Sequence, residues 1–311
     1  MDPANKRQKM LMLDSTADWK LVFRDVLALK SVVNTICSLT PRATFRVKSY
    51  DESFFLVLKG ADAAKSRYLH IKLLIDDVVL PESITSFTFC VASKDLKFGT
   101  EDLSMNGELH MLGHVEKAKI VLKHKNPLSS FTEQHMLDTV VDEEPQRQPI
   151  DLDYDLTVDF DVHLLKRIIT QAKKRGAEKI CIRIYMYKKA GRDMTLVQMQ
   201  HAQGMESSFS IHNEKVTNAD GSFVINACSA TCEDENGEEV DNIPDVDPEF
   251  SAFFNVESLS LFLNNLTVKN IQAKMKQNVP LLICHNIGPD ESDVSFIRFM
   301  VAPAAEDEYD D

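Results

Sequence analysis

Residues 161–175 read DVHLLKRIITQAKKR, and their spacing gives the clearest structural signal in the chain. At about 100° per residue, the apolar side chains fall on one half of a helical wheel and most basic ones on the other half. The apolar half holds Val162, Leu165, Ile168, Ile169 and Ala172. The opposite half holds His163, Lys166, Arg167, Thr170, Lys173 and Lys174. The pattern predicts an amphipathic helix with an outward basic stripe, which on its own is most often a solvated face.

Similar helix starts recur elsewhere in the chain. An alternating apolar stretch runs into an amphipathic one at Phe89-x-Val91 with Leu96, at Phe160-x-Val162 with Leu165, and at Phe254-x-Val256 with Leu259. A looser fourth copy, VFRDVLALKSVVNTICSL, begins near Phe23. Residues of capping type stand at the four starts, namely Asp25, Ser93, Asp161 and Asn255. The repeat predicts four helices in two similar halves.

Between these helices the sequence is rich in short apolar runs that alternate or are β-branched. They predict strands over 54–58, 68–75, 84–91, 119–124, 180–187, 194–200, 208–212, 271–275, 280–284 and 294–301. Several strands follow each helix, so hairpins outnumber helical crossovers. The fold class is therefore α+β with antiparallel sheets, in two domains of similar size.

Composition shifts divide the chain further. We expect a flexible N-terminal extension over 1–16, a first domain over 17–135, and a second domain over 154–305. The stretch 136–153 is acidic, holds Pro145 and Pro149 and has no helical period, so it predicts a connecting loop. An acidic insertion at about 233–249 and an acidic tail at 306–311 complete the organisation.

The net charge of −13 is unevenly distributed along the 311 residues. No Lys or Arg lies between Lys215 and Lys269, where eleven acidic residues occur, and the tail adds five more. The remaining 35 bases and 32 acids are nearly balanced. An acidic average therefore does not exclude a polyanionic partner, because the position of the bases decides what can bind.

Signatures of catalysis and of cofactor binding are missing. The sequence has no GxGxxG, GxxxxGK[ST], GxSxG or HExxH motif, and the acidic stretch around Gly237 lacks acids at both ends of a calcium loop. His110 and His114 have no evident third ligand, and the six cysteines are most simply reduced, buried thiols. No apolar run approaches the ~20 residues of a membrane helix, and the N-terminus has no secretory pattern. We expect a soluble intracellular protein that is not an enzyme and needs neither metal nor cofactor.

The C-terminal third resembles a known family. The segments FNVESLSLFLNNL (254–266), KNIQAKMKQNVPLLICHNI (269–287) and VSFIRFMVAPAAEDEYDD (294–311) resemble the last helix, hairpin and tail of the DNA sliding clamps of the proliferating cell nuclear antigen family. DYDLTVDFDVHLLKRII (153–169) resembles the start of that clamp's second domain. LKGADAAKSRYLHIKL (58–73) resembles the loop and strand after its first helix. The chain is identified as a diverged member, with extra residues at the N-terminus and around 233–249.

The resemblance implies a ring, usually of three subunits, that encircles duplex DNA. Helices would line the hole, and sheets would form an outer wall whose acidic surface repels DNA. Lys and Arg facing the hole would contact phosphates without reading bases. Carried over to this sequence, those bases are Lys30, Lys94, Lys97, Lys166, Arg167, Lys173, Lys174 and Lys269.

The resemblance also implies a pocket for a short helical peptide that carries apolar anchors and basic flanks. Its residues would be Ala61, Tyr68, Leu137, Val140, Val141, Pro149, Ile150, Pro280, Met300, Ala302 and Pro303. Subunits would join edge to edge, with the strand 119–124 of one copy against the strand 194–201 of the next.

The function expected from the resemblance is that of a DNA polymerase processivity factor. Its partners would be duplex DNA of any sequence, a polymerase, other clamp-binding proteins and a clamp loader, and its place would be the nucleus or a viral replication site. Two alternatives remain open. One is a processivity factor of the same fold that acts as a monomer or dimer and holds DNA by charge, and the other is a checkpoint-type clamp subunit of a hetero-ring.

Overall fold

A computed structural model describes residues 17–62, 64, 66–81, 84–104, 107–113, 118–126, 132–140, 152–201, 208–215, 223–227, 244–266, 268–287 and 295–305. The chain folds as two compact units. Unit 1 comprises Met1–Gln148 and Asn286–Ile297, and unit 2 comprises Pro149–His285 and Arg298–Asp311. The predicted connecting loop and insertion lie largely outside the described residues, as do the whole of the N-terminal extension and the tail.

Four helices lie in the described residues, two in each unit. They are α1 (Val26–Leu39), α2 (Ser93–Glu101), α3 (Val162–Lys174) and α4 (Val256–Asn264). Side chains cap three of them, as predicted: Asp25 accepts from the N–H of Ala28, Asp161 from that of Leu164, and Asn255 from that of Ser258, each at 2.8 Å. These acceptors satisfy N–H groups that the first turn of a helix leaves without a helical partner.

Ser93 is an exception to the capping prediction. The helix α2 begins at Ser93 itself, and its N-cap is Ala92, which forms no side-chain cap. The Ser93 hydroxyl is buried and has no hydrogen-bond partner among the described residues. Its backbone N–H instead donates to the carbonyl of Pro41 at 2.9 Å. The capping residue type was therefore present at the start of α2 without the capping geometry.

Nine of the strands in the described residues begin before the predicted connecting loop, and in unit 1 they form two antiparallel groups. The strands are β1 (Trp19–Phe23), β2 (Arg42–Tyr50), β3 (Ser53–Ala61), β4 (Arg67–Leu74), β5 (Asp77–Val79), β6 (Ser86–Ala92), β7 (Glu108–Gly113), β8 (Lys119–Lys125) and β9 (Thr132–Asp138). One group has the order β5-β1-β7-β8-β9. The other joins β4, β3, β2 and β6 in that order.

The remaining strands follow the loop. They are β10 (Leu156–Asp161), β11 (Lys179–Lys189), β12 (Arg192–His201), β13 (Ser208–Glu214), β14 (Ile225–Ala227), β15 (Phe250–Asn255), β16 (Asn270–Met275), β17 (Leu281–Asn286) and β18 (Phe296–Val301). In unit 2 one group has the order β13-β12-β11-β15, all antiparallel. A second joins β14, β10, β16 and β17, in which only the β10–β14 pair is parallel among the pairs described. The predicted α+β class with antiparallel sheets is confirmed.

The two predicted faces of α3 are confirmed by burial. Val162, Ile168, Ile169 and Ala172 on α3 are at most 2% exposed, and Leu165 is 5% exposed. The basic side of the wheel is exposed, except that Lys166 is half-buried. Burying such a stripe is what holds a short helix against a sheet, because helices of this length are marginal alone.

All ten predicted strands are present, but others were missed. The stretch HMLGH, considered above as a metal site, places His110 and Gly113 in β7. Gly113 lies directly beneath the indole of Trp19, and any Cβ there would collide with that ring. The described residues hold no group of three or more His, Cys, Asp or Glu side chains that could bind a metal. None of the four described cysteines, Cys37, Cys90, Cys181 and Cys284, forms a disulfide.

The sheet order corrects the predicted assembly strands. β8 lies between β7 and β9, and β12 lies between β11 and β13. Both strands therefore already use the hydrogen-bonding groups of both edges, so the prediction that they join subunits is wrong. The predicted connecting loop is also shortened, because its first residues, Met136–Asp138, belong to β9.

Candidate nucleic-acid interface

In unit 2 the helices α3 and α4 are tied together at both ends. The first N–H of α3, at Val162, donates to the carbonyl of Lys269, which lies just beyond the end of α4. The first N–H of α4, at Val256, donates to the carbonyl of Glu178, just beyond α3. These bonds measure 2.8 and 2.9 Å. Each helix therefore begins where the other ends, and the pair is antiparallel.

Two of the four bases on α3 are directed to this partner helix. The ammonium of Lys166 donates to the carbonyl of Leu266, just after α4, at 2.7 Å. Lys173 forms an ion pair with Glu257 in the first turn of α4. The two lysines are seven residues apart and so lie on one side of α3. Burial lowers the pKa of Lys166.

The other two bases form a separate column on α3. Arg167 and Lys174 are also seven residues apart, and both are exposed. Among the described residues neither forms an ion pair. His163 and Thr170 are exposed in the same stripe. This column is therefore free to contact an external anion, whereas the column of Lys166 and Lys173 contributes to the packing of unit 2.

In unit 1 a lysine makes the same kind of contact that Lys166 makes in unit 2. Lys30 lies five residues after the cap Asp25, as Lys166 lies five residues after the cap Asp161. Its ammonium donates to the carbonyls of Glu101 and Leu103, at the end of α2, at 2.8 and 3.1 Å. A lysine at the end of a helix satisfies carbonyls that have no helical partner and lies favourably at the negative end of the helix dipole.

The remaining predicted DNA contacts are solvent-exposed. Lys94 and Lys97 project from α2, and Lys269 precedes β16. Phe98 is next to Lys97 and is 70% exposed, with its ring edge-on to that of His135. Burial raises the pKa of the Cys37 thiol to about 11, although nearby Lys97 acts in the opposite direction. That thiol is therefore not poised for reaction.

The predicted peptide-pocket residues fall into three groups. Val141, Pro149 and Ile150 lie outside the described residues. Leu137 is 4% exposed and lies close to Gly99 of α2, which makes it a core residue rather than part of an open pocket. The others reach the surface at least in part: Ala61, Tyr68 and Val140 in unit 1, and Pro280, Met300, Ala302 and Pro303 in unit 2.

A hydrogen-bonded loop separates Ala61 from Tyr68. Asp62 accepts hydrogen bonds from the Arg67 backbone N–H at 2.9 Å, the Arg67 guanidinium at 3.0 Å and the Ser66 hydroxyl at 2.8 Å. Burial acts to raise the pKa of Asp62, but these bonds outweigh it and the pKa lies below its usual value. The Tyr68 hydroxyl is buried without a partner among the described residues, and burial raises its pKa.

Comparison with solved structures identifies the class of fold. The structure resembles the crystal structure of proliferating cellular nuclear antigen from Entamoeba histolytica with a TM-score of 0.67, at 12% identity, over 93% of this chain and 100% of that one. For PCNA from Thermococcus kodakaraensis the TM-score is 0.66 at 14% identity, over 92% and 100% of the two chains. For a chain of the PCNA2–PCNA3 complex from Sulfolobus tokodaii the values are 0.61 and 13%, over 92% and 100%.

The chain therefore has the clamp fold, and the predicted resemblance to sliding clamps is confirmed in its structure. No family model and no curated protein matches the sequence. Identities of 12–14% are those expected of a diverged chain. None of the helices in the described ranges is long and apolar enough to cross a membrane.

The two columns on α3 lead to a prediction about stability. We expect Lys166→Ala to lower the free energy of unfolding by about 1–3 kcal/mol, because it leaves the carbonyl of Leu266 without its charged donor. Arg167→Ala is the matched control and should change it by less than about 0.5 kcal/mol. Urea unfolding followed by circular dichroism measures both. Equal effects of the two substitutions would contradict the assignment of separate columns.

Proposed function

We propose that this chain is a sliding clamp, a non-catalytic protein that encircles duplex DNA and tethers a polymerase and other replication or repair proteins to it. The proposal assigns it to sites of DNA replication, in the nucleus or in a viral replication compartment. The observation that carries it is the exposed column of Arg167 and Lys174 on a helix pair of the clamp fold. Exposed bases on a rigid helix suit contacts to phosphates.

The charge pattern favours sequence-independent holding over base recognition. Arg167 and Lys174 lie about 10 Å apart along the helix axis, at ~1.5 Å per residue. Other exposed bases are Lys94 and Lys97 of α2 in unit 1 and Lys269 in unit 2. A clamp must move along DNA, so its contacts should be with the uniform phosphate backbone. Lys30 and Lys166 contribute less, since their ammonium groups already bind backbone carbonyls.

The first prediction of this proposal concerns salt. We expect the double variant Arg167→Ala, Lys174→Ala to bind closed circular duplex DNA more weakly on any sequence. The slope of log affinity against log salt should fall by roughly 0.9 for each phosphate that the variant no longer binds. The control, Lys166→Ala with Lys173→Ala, removes the same charge from the same helix and should change the slope less. Equal slopes for the wild type and the Arg167/Lys174 variant would refute the phosphate contacts.

Assembly is the second part of the proposal, and two strand edges are suited to it. Thr139 donates to the carbonyl of Ala118 at 2.9 Å, and in this register Thr139 is opposite Ala118. Bonded and non-bonded pairs alternate in an antiparallel ladder, so the backbone groups of Gln134 and Met136 point away from β8. No further strand of the described sheet pairs with β9 itself, although Thr139, just after it, is bridged to Val91 of β6.

The strand β13 also has backbone groups that point away from its neighbour in the sheet. The backbone N–H of Lys215 donates to the carbonyl of Asp193 at 2.8 Å, so these two residues are a hydrogen-bonded pair. Because bonded and non-bonded pairs alternate along the ladder, the backbone groups of Ser210 and His212 point away from β12. Both β9 and β13 have seven residues. At the other ends of their sheets, β5 has only three residues, and Phe253 of β15 is already bridged to Ala304. We therefore propose that β9 of one copy pairs with β13 of the next.

A proline at the free edge of β9 tests this assembly. Met136→Pro removes an N–H that points away from β8, so the sheet within the chain should survive while the pairing between copies is broken. Light scattering should show a fall from about three times 35.2 kDa to the mass of one chain. Met136→Leu keeps the N–H and should retain the wild-type mass. An unchanged mass for a folded proline variant would exclude β9, and a wild-type mass of one or two chains would favour the non-ring alternative.

Partner recognition is the third part. We propose that a short amphipathic helix with apolar anchors and basic flanks docks on the exposed Pro303 and its neighbours, together with Ile150. The double variant Ile150→Ala, Pro303→Ala should weaken such a peptide about tenfold or more, because a few anchors dominate interfaces of this kind. Titration calorimetry measures the affinity. Val246→Ala, which changes another exposed apolar residue of unit 2, is the control, and equal affinities of all three proteins would place the site elsewhere.

A further inference from the structure

The strands β4, β3, β2 and β6 carry an unexpected charge. In a protein of net charge −13, these four strands hold six Lys and Arg and no Asp or Glu. The expectation that the sheet surface would be acidic is therefore wrong for this part of unit 1. The six bases are Arg42, Arg46, Lys48, Lys59, Arg67 and Lys72.

Most of these bases share the face that is turned away from the core. On β2 the core face holds Ala43, Phe45 and Val47, which are at most 1% exposed. The alternate residues, which include Arg46 and Lys48, point to the opposite face. We call this surface the basic sheet face and define it by Arg46, Lys48, Tyr50, Lys59 and Lys72.

The strand register places these residues side by side. Arg46 and Lys72 are both paired with Val57 of β3, one from each side, so they are about 10 Å apart across the sheet. Lys48 lies one pleat further along β2, paired with Phe55. Among the described residues, none of the bases of this face forms an ion pair. The exposed acids Asp51 and Glu52 lie next to this face, in the turn between β2 and β3 beside Tyr50, but neither forms an ion pair with its bases among the described residues.

Aromatic rings lie among the cations. The ammonium of Lys72 is 4.1 Å from the ring centre of Phe55 and 5.2 Å from that of Tyr50, and Lys48 is 5.7 Å from Tyr50. Phe55 is buried beneath them, but Tyr50 is 42% exposed, and Leu74 nearby is 36% exposed. The face therefore offers cations together with an exposed ring at one end.

We propose that the basic sheet face binds single-stranded nucleic acid. Cations that have no ion-pair partner in the described residues attract a polyanion, and an exposed ring beside them allows an unpaired base to stack, as on other single-strand platforms. The cations of a flat face would reach only the phosphates of a duplex, whose bases are stacked inside, whereas the ring of Tyr50 can stack on a base only if that base is unpaired. An acidic peptide would satisfy the cations but would make no use of Tyr50. The site is separate from the helix column proposed to hold duplex DNA.

The test uses full-length protein and fluorescein-labelled oligothymidylate of about 16 nucleotides, within the range of single-strand sites. Anisotropy titrations at several salt concentrations compare the wild type with the triple variant Arg46→Gln, Lys48→Gln, Lys59→Gln. The variant should bind more weakly, and its salt slope should fall by about 2, at ~0.7 for each phosphate of a single strand that is no longer bound. Tyr50→Ala should weaken binding at least about fivefold, because it removes the ring on which a base stacks. Repeating the titrations with oligouridylate shows whether DNA or RNA is preferred.

Matched controls separate this proposal from the clamp function. The triple variant Lys188→Gln, Lys189→Gln, Arg192→Gln removes the same charge from an exposed hairpin of unit 2 and should bind like the wild type. Arg167→Ala with Lys174→Ala should affect circular duplex and leave oligothymidylate binding unchanged. Thermal melting checks that each variant is folded.

Three results would overturn the proposal. The first is an equal salt slope for the two triple variants, and the second is a wild type that does not bind oligothymidylate. The third is a variant of the basic sheet face that binds oligothymidylate normally and fails only to bind a polyglutamate peptide. That last result would assign the face to an acidic protein.

Discussion

The reciprocal bond between paired helices is the constraint on which the described helical layer depends. In unit 2 the first N–H of α3 and the first N–H of α4 each bind a carbonyl that follows the other helix. The amphipathic stripe gives each helix a buried side, but a stripe alone would allow it to slide and rotate. The end-to-end bonds set the register, and the Lys166 bond to the carbonyl of Leu266 strengthens it from the side chain.

This constraint divides the functional charge. A helix with bases at positions 166, 167, 173 and 174 presents two columns once a partner helix lies along one side of it. Lys166 and Lys173 face the partner and stabilise the pair, whereas Arg167 and Lys174 remain for an external ligand. In unit 1 the lysine contact recurs without a second column, because Lys30 binds the end of α2 and is the one Lys or Arg of α1. We therefore propose that fewer side chains contact DNA than the number of Lys and Arg residues on the helices suggests.

The charged residues of the sheets are distributed differently from those of the helices. Three strands of unit 1, β2, β3 and β4, carry bases without acids, while many of the acids of the chain belong to the stretch 215–269 and to the tail. A net charge of −13 therefore describes the average and conceals two basic surfaces of different shape. One is a helix column with widely spaced cations, and the other is a flat face with an exposed ring. Their shapes suit the two forms of nucleic acid proposed for them.

The sequence alone determined the four helices, ten of the eighteen described strands and the fold class. The period of residues 161–175 predicted α3 and its buried side, and the repeated starts predicted four helices, because side-chain burial follows local spacing. Local spacing does not show which strands lie at the sheet edges. The sequence therefore predicted β8 and β12 as edge strands, whereas β9 and β13 occupy those positions. Nor could local spacing predict that Lys166 and Arg167 have different partners. Both are neighbours on one basic stripe, and only the packing of α4 along one side gives them different partners.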